Sequence, residues 1–198
     1  WYDEAPKHLR KYGASDYAVT EGGGDYTVHL VAGVCPDDNL YLLDLWRDQA
    51  DSLVWVESFC ELVIKHRPTQ WAEEAGQIAK SMGSLLDKRQ RELSAYCYRK
   101  SFTSAADKQA RAQAIRGRMA QGKVYFPRNA PWIDAFISEL MAFDAGKYDD
   151  QVDAYGLIGR MLGEMTKGRE PAPPPDTNQF TFNALRDAAA RKRRGEEL

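Results

Sequence analysis

The stretch SDYAVTEGGGDYTV at residues 15–28 constrains the fold of this 198-residue chain more than any other. Its β-branched and aromatic residues favour two strands, and its three consecutive glycines permit a tight reversal between them. Asp16 is unusual in a strand, because the short polar side chain of aspartate prefers helix caps and turns. It is therefore either a turn residue or a ligand, and our hypothesis is that it binds a divalent metal ion.

The order of the predicted elements indicates an α/β fold. Short connections make the first three strands an antiparallel meander, and later strands separated by helices imply parallel crossovers. This order predicts a mixed sheet of the ribonuclease H-like type, with three antiparallel strands, then parallel strands, and helices on both faces. The expected strands are 14–20, 25–34, 40–46, 70–74 and 95–99, and the expected helices are 52–66, 77–91, 105–121, 132–143 and 148–165.

Polar and proline-rich stretches divide the chain into three predicted parts. Residues 1–13 form an N-terminal segment, residues 14–167 the ribonuclease H-like domain, and residues 168–198 a proline-rich linker with a basic tail. A chain of 198 residues suits one domain with a sizeable core. The PAPPP run favours a stiff, extended linker.

Composition excludes few classes of function. The net charge of -2 gives no overall basic character that would indicate nucleic acid. This argument is weak, because a metal site collects carboxylates that offset a basic patch. The three cysteines, without CxxC spacing, are typical of an intracellular chain with reduced thiols, and no apolar run is long enough to span a bilayer.

Glu73 and Glu74 end the fourth predicted strand, just before Gly76. Open α/β sheets place ligands at strand ends beside crossovers. Because neighbouring side chains of a strand point to opposite faces, only one of the two glutamates can join a site. The sequence pattern equally allows two surface glutamates.

Asp149, Asp150 and Asp153 open the last predicted helix. Acidic residues are common in a first turn because they complement the helix dipole. Here, however, the three aspartates cluster on one arc that continues into apolar residues, which places them at the edge of the core. Asp25, after the glycine turn, is expected to be a turn residue or a supporting group near the site.

Basic residues are also candidates for function, besides the acidic residues. The densest basic region lies on and after the helix at 105–121, and phosphate contacts from it would give DNA binding that depends on salt but not on base sequence. A solvated helix face is the alternative interpretation. The predicted DNA-binding residues are Lys100, Lys108, Arg111, Arg116, Arg118, Lys123 and Arg128.

Four stretches together resemble a known family. They are SDYAVTEGGGDYTVHLVAG (15–33), WAEEAGQI (71–78), DKQARAQAIRGRMAQGKVYFP (107–127) and GKYDDQVDAYG (146–156), of which the last two are the most specific. The chain is similar to the C-terminal nuclease domain of the large terminase subunit of tailed bacteriophages. The resemblance covers most of residues 14–160.

The resemblance implies a set of catalytic and metal-binding residues. The first-strand ligand corresponds to Asp16, and the acid before the AGQI stretch corresponds to Glu74 rather than Glu73. The third acid belongs to the pair Asp149 and Asp150, between which the family pattern does not choose. Asp153, Asp25 and Glu73 are then supporting residues.

The resemblance also implies a function: endonucleolytic cleavage of concatemeric double-stranded viral DNA during genome packaging, with one or two Mg²⁺ or Mn²⁺ ions. Two ions about 3.5–4 Å apart can activate the attacking water and stabilise the leaving oxygen. The family's full-length protein carries an ATPase motor domain, which is an expected partner. Since no G-x-x-x-x-G-K-[ST] loop occurs here, we expect a nuclease fragment without an ATP site.

The expected location is the host-cell cytoplasm, transiently at the procapsid portal and not in the mature virion. Contacts with the portal or the small terminase subunit stay open at this stage, and no membrane contact is expected. Two alternative functions also stay open. One is a junction resolvase or integrase-type enzyme of the same fold, and the other is a non-catalytic DNA clamp or portal-docking module.

Overall fold

A computed structural model describes residues 1–18, 24–103, 108–143, 146–171 and 186, without the side chains of residues 108–112. Within these ranges, six strands form one sheet. They are β1 (Arg10–Asp16), β2 (Thr27–Val34), β3 (Leu40–Asp48), β4 (Gln70–Ala75), β5 (Tyr98–Thr103) and β6 (Val124–Tyr125). Their order across the sheet is β5-β4-β1-β2-β3-β6.

The sheet is mixed, as the sequence predicts. β1 pairs antiparallel with β2, and β2 with β3. β4 pairs parallel with β1 and with β5, and β6 pairs parallel with β3. The carboxyl ends of β1, β4 and β5 therefore meet at one end of the sheet, which we call the carboxyl end. The opposite end, where β1 begins, is the amino end.

Five helices lie along the described parts of the chain: α1 (Ser52–His66), α2 (Gln77–Leu93), α3 (Lys108–Ala120), α4 (Ile133–Met141) and α5 (Asp150–Met161). α1 begins where predicted, because the side chain of Asp51 accepts hydrogen bonds from the N–H groups of Leu53 and Val54. No helix within these described parts combines the length and apolar character needed to cross a membrane.

Two apolar cores cover the two faces of the sheet. On one face, α3, α4 and α5 contribute residues such as Phe136, Tyr155 and Leu157. On the other face, α1 and α2 pack through residues such as Phe59 and Leu86. Because strand side chains alternate, each strand residue belongs to one of these two faces, which we call the α5 face and the α1 face.

The first strand begins earlier than predicted, at Arg10 rather than near Ala14. The sequence suggests a break at Gly13, but Gly13 lies inside β1 because the indole of Trp71 packs directly over it. A Cβ atom at residue 13 would lie 2.0 Å from Cε3 of Trp71. The glycine therefore allows a close approach of two strands rather than a turn.

The fifth strand begins later than predicted, at Tyr98 rather than at Ala95. Residues 94–97 instead form the turn that follows the end of α2. Ser94 adopts the left-handed conformation after the helix, and the N–H of Ala95 donates to the carbonyl of Gln90 over 2.9 Å. Val124 and Tyr125 form a further short strand, β6, beside β3.

Several predictions fall outside the described residues. They concern the extension of the first strand to Thr20, the glycine reversal at 22–23, the start of the basic helix at 105–107, and the tail beyond residue 171 apart from Arg186. The three-part division of the chain stays a prediction. The predicted helices at 132–143 and 148–165 are shorter in the structure, as α4 and α5.

Candidate functional site

Asp16 is the last residue of β1, at the carboxyl end of the sheet, and is partly exposed. Along β1, Tyr12 and Ala14 are buried in the core of the α5 face. Strand alternation places Asp16 on this same face, opposite Val28 of β2. The aspartate thus stands where an apolar strand face reaches the edge of the core.

The two glutamates near the carboxyl end of β4 lie on opposite faces of the sheet. Trp71 packs in the core of the α1 face and Ala72 in the core of the α5 face. Glu73 therefore shares the face of Trp71, and Glu74 shares the face of Asp16. Since Ser15 pairs with Glu73, the next residues, Asp16 and Glu74, lie at the carboxyl ends of adjacent parallel strands about 4.8 Å apart.

Glu73 belongs to a polar network on the α1 face. It is 4% exposed and accepts hydrogen bonds from Ser101 Oγ at 2.9 Å and Tyr17 Oη at 3.2 Å. Arg99 Nε lies 3.6 Å from its Oε2. Burial of the phenol, and secondly the charge of Glu73, raise the pKa of Tyr17 well above its ordinary value. These contacts give Glu73 a structural position that is separate from the face of Asp16.

Helix α5 brings its acidic first turn to the carboxyl end. The backbone of Tyr26, which adjoins the start of β2, hydrogen-bonds to the carboxylate of Asp150. After the helix, the chain reaches the amino end of β1, where the N–H of Thr166 donates to Tyr12 Oη over 2.7 Å. The helix therefore begins beside the end of the strand that carries Asp16.

Asp150 is strongly desolvated. Its side chain is 4% exposed, and its Oδ2 atom has no hydrogen-bond partner. Burial raises the pKa of this carboxyl to about 6, assisted by the charges of Asp25 and Glu139 and opposed by the Tyr26 backbone and by Arg47. The structure thus brings Asp25 near Asp150, as a neighbouring charge at an exposed position.

Glu139 of α4 caps α5 from outside the helix. Its Oε1 accepts the backbone N–H of Gln151 at 2.7 Å, and its Oε2 accepts Nε2 of Gln151 at 2.6 Å. Arg47 Nη2 completes the cluster, 3.3 Å from Oε2. Asp149, which occupies the N-cap position, makes no capping hydrogen bond through its side chain. Because Glu139 serves as the cap, the orientation of Asp149 is not fixed by a capping role.

A second buried network lies beneath Asp16 on the α1 face. His29 Nε2 is 2.9 Å from the carbonyl oxygen of Trp55, so this nitrogen carries the proton. Its Nδ1 then accepts the hydroxyl of Ser15 at 2.7 Å, and Ser15 accepts the indole N–H of Trp71 at 2.7 Å. Burial lowers the pKa of His29 to about 4, so the ring is neutral at pH 7. The network fixes the end of β1.

We call the five acidic residues at this end of the sheet the carboxyl-end site: Asp16, Glu74, Asp149, Asp150 and Asp153. Within the described ranges, no three His, Cys, Asp or Glu side chains converge closely enough to hold an ion. The donor set nevertheless fits Mg²⁺ or Mn²⁺, because carboxylate oxygens are the ligands that these hard cations prefer. The unsatisfied, buried Oδ2 of Asp150 is an atom of the kind that a cation would neutralise.

The predicted DNA-binding residues are mostly paired within the chain. Lys100 is ion-paired with Glu164. Arg118 and Lys123 contact Asp38 at 2.6 and 3.5 Å, and Arg128 lies 3.3 Å from Asp3. Arg116 is exposed, whereas the side chains of Lys108 and Arg111 lie outside the described residues.

Comparison with known families then decides the identity of the fold. A family model described as "Terminase RNaseH-like domain" matches residues 13–160, which is most of the chain. The chain belongs to the terminase RNase H-like domain family. The sequence-based prediction of the family and of the ribonuclease H-like fold is therefore confirmed.

Solved structures agree with this assignment. The large terminase from a thermophilic bacteriophage resembles this terminase domain with a TM-score of 0.58 and 14% identity, over 81% of this chain and 41% of that chain. The same terminase in complex with ADP gives a TM-score of 0.56 at 14% identity, over 80% and 41%. The terminase domain thus spans less than half of that protein, and the likeness establishes the fold. Comparison with curated proteins finds no significant match.

Sequence reasoning missed two supports of the site in the terminase domain. The first is the cluster of Glu139, Gln151 and Arg47, whose only sequence signal is a glutamate beside the apolar residues of α4. The second is Arg160, whose guanidinium lies 4.6 Å above the ring of Phe102 and donates to the carbonyl of residue 103 over 2.8 Å. Because Phe102 pairs with Glu74, this cation lies beside the carboxyl-end site.

Proposed function

We propose that this terminase domain is a metal-dependent endonuclease that cleaves double-stranded, concatemeric viral DNA during genome packaging. The observation that carries the proposal is the placement of Asp16 and Glu74 on one face of two adjacent parallel strands. The acidic start of α5 lies over the same end of the sheet. Family membership supports a nuclease role, and the chemistry of the donor set supports a divalent metal.

Each group of side chains has a role in this proposal. Asp16 and Glu74, with Asp149 or Asp150, would hold one or two Mg²⁺ or Mn²⁺ ions against a phosphate. A bound ion of this kind supplies positive charge that activates water and stabilises the charge developing on the phosphate. The network of Ser15 and His29 fixes the end of β1, and Glu139 fixes the start of α5, so the carboxylates are oriented before substrate arrives.

The proposal also covers partners and location. Double-stranded DNA is the substrate, and predicted basic residues such as Arg116 would contact its phosphates. An ATPase motor domain of the same polypeptide would deliver the DNA, in the host-cell cytoplasm at the procapsid portal. Contacts with the portal and the small terminase subunit belong to this proposal as well.

Plasmid cleavage tests the proposal directly. Supercoiled plasmid is incubated with the purified domain in Mn²⁺, Mg²⁺ or EDTA, beside the variants Asp16→Asn and Glu74→Gln. We expect nicking and linearisation with either metal, no cleavage in EDTA, and no cleavage by the two variants. Asp37→Asn is the matched control, because it makes the same chemical change in the β2–β3 turn at the amino end.

Two outcomes would contradict the proposal. If the variants cleave at the wild-type rate while remaining folded by circular dichroism, the carboxyl-end site is not catalytic. If the domain cuts a four-way DNA junction but not linear duplex under the same conditions, it is a junction resolvase rather than a packaging endonuclease.

A further inference from the structure

A strongly basic groove lies at the amino end of the sheet, opposite the carboxyl-end site. Its volume is about 510 Å³, and its lining includes five basic side chains and no carboxylate. We call it the amino-end groove and define it by Lys7, Arg10, Lys11, Arg67 and Arg169. These residues come from three separate segments of sequence, so their cluster is formed only by the fold.

Backbone hydrogen bonds hold the segments of the groove together. The N–H of Thr69 donates to the carbonyl of Lys11 over 2.9 Å, which joins the segment after α1 to β1. The N–H of Gly168 donates to the carbonyl of Val34 over 3.0 Å, which fixes the backbone next to Arg169. The charges are therefore mounted on an ordered edge of the sheet.

In the part of the chain that the structure describes, the five groove cations are not neutralised by ion pairs with acidic side chains. Among the described residues, none of the ion pairs involves a groove residue. Asp38 lies in the turn before β3 and Asp44 lies on β3, and both carboxylates already form ion pairs with other residues. Asp38 binds Arg118, and Asp44 binds Lys65 and His66.

Helix α1 ends at this groove. Compensation of the helix dipole explains only some of the basic residues that cluster here. Basic residues at a helix C-terminus offset the partial negative charge of its last carbonyls. In α1, Lys65 and His66 occupy the last turn and already meet this need. Lys7, Arg10 and Arg169 belong to other segments, so a helix cap does not explain them.

We propose that the amino-end groove binds the phosphate backbone of DNA, as a second contact about 20 Å along β1 from Asp16. Three of its five cations are arginines, whose planar guanidinium groups match phosphate oxygens in pairs. A cluster of like charges in a chain whose net charge is -2 creates a local field that attracts a polyanion. The identification of that polyanion as DNA rests on the proposed function.

Duplex binding without cleavage tests this inference. The Kd of a fluorescent 30-base-pair duplex is measured by anisotropy in EDTA at several salt concentrations, for the wild type and the triple variant Arg10→Gln, Arg67→Gln, Arg169→Gln. The slope of log K against log salt is negative, and each lost phosphate contact reduces its magnitude by about 0.9. We therefore expect a slope whose magnitude is smaller by about 2–3 for the triple variant. We also expect its binding to be weaker by about tenfold or more. The variant Lys7→Gln, Lys11→Gln, Arg169→Gln repeats the test without changing Arg10 or Arg67, the residue that follows α1.

The control removes the same charge from another surface. Lys80→Gln, Lys88→Gln, Arg91→Gln on α2 should leave the slope close to that of the wild type. The inference is overturned if groove and control variants bind duplex equally, or if groove variants lose binding to poly-glutamate while keeping duplex binding, since the groove would then dock an acidic protein. Because EDTA excludes cleavage, loss of binding supports the groove even if the plasmid experiment fails.

Discussion

The two ends of strand β1 carry opposite charge and are built in different ways. At the carboxyl end, Asp16 stands above a buried network, and the neighbouring Asp150 is almost completely desolvated. At the amino end, Arg10 and its basic neighbours are mostly exposed on the rim of an open groove. The carboxyl end holds its acidic groups beside buried hydrogen-bond networks, whereas the cations of the amino end lie on exposed side chains.

This contrast fits two different physical tasks. Positioning a reacting phosphate requires carboxylates held within narrow limits, and only buried supporting contacts provide such rigidity. Holding a long polyanion requires only a high density of positive charge, which long exposed side chains supply. Changes at the carboxyl end should therefore affect catalysis and stability, and changes at the amino end should affect DNA affinity alone.

The largest expected effect separates the two glutamates of β4. Glu74→Gln should reduce plasmid cleavage on the order of a thousandfold, about 4 kcal/mol in transition-state stabilisation, because it removes a proposed metal ligand. Glu73→Gln is the matched neighbour on the other face and should leave cleavage per folded molecule nearly unchanged. Cleavage rates normalised to the folded fraction measure both. Equal losses for the two variants would remove the distinction between the faces.

The next effect concerns the cap on α5. Glu139→Ala should lower the free energy of unfolding by about 3–4 kcal/mol, because Arg47 and the N–H of Gln151 lose their buried partner. Glu139→Gln keeps an acceptor and should cost about 1–2 kcal/mol. Urea unfolding of both variants measures the difference. A groove variant such as Arg169→Gln should have the same free energy of unfolding as the wild type. If Glu139→Ala and Arg169→Gln lowered the free energy of unfolding by similar amounts, the two ends of β1 would not differ in their contribution to stability.

A pH effect should follow from His29 beneath the carboxyl end. Its folded pKa of about 4 lies below the ordinary value of 6.5, so the unfolded chain binds the proton more readily. Stability is therefore complete above pH 6.5 and falls as pH decreases toward 4, on the order of 3 kcal/mol from this group. Urea unfolding of the wild type and His29→Gln at pH 7 and pH 4.5 measures it. The wild type should lose more stability on acidification, and parallel losses would exclude His29 as the cause.

The smallest effect is expected for a basic residue that is already paired. Lys123 lies 3.5 Å from Asp38, and exposed ion pairs of this kind contribute less than about 1 kcal/mol. Lys123→Gln should therefore change stability little, and it should weaken duplex binding less than Arg67→Gln does. Anisotropy measurements at one salt concentration compare the two. A greater loss for Lys123→Gln would assign the main DNA contact to the region after α3.

The elements that follow local rules could be predicted from the sequence. Strand alternation separated Glu73 from Glu74, and the apolar spacing of residues 52–66, with Pro68 after them, predicted the limits of α1. The start of β1 could not be predicted, because Gly13 is explained only by Trp71 from a distant strand. The partnership of Glu139 with Gln151 likewise depends on how α4 packs against α5. The amino-end groove left no local signal, since its cations are separated along the sequence and meet only in the folded sheet.

Anomalous diffraction from crystals of the domain soaked in Mn²⁺ is the decisive measurement for the carboxyl-end site, because it locates bound manganese without reference to activity. We expect a strong anomalous peak at the carboxyl end, in contact with the carboxylates of Asp16 and Glu74, and no peak beside Glu73. A peak only elsewhere, or no peak at the carboxyl end at saturating Mn²⁺, would show that Asp16 and Glu74 do not bind the metal.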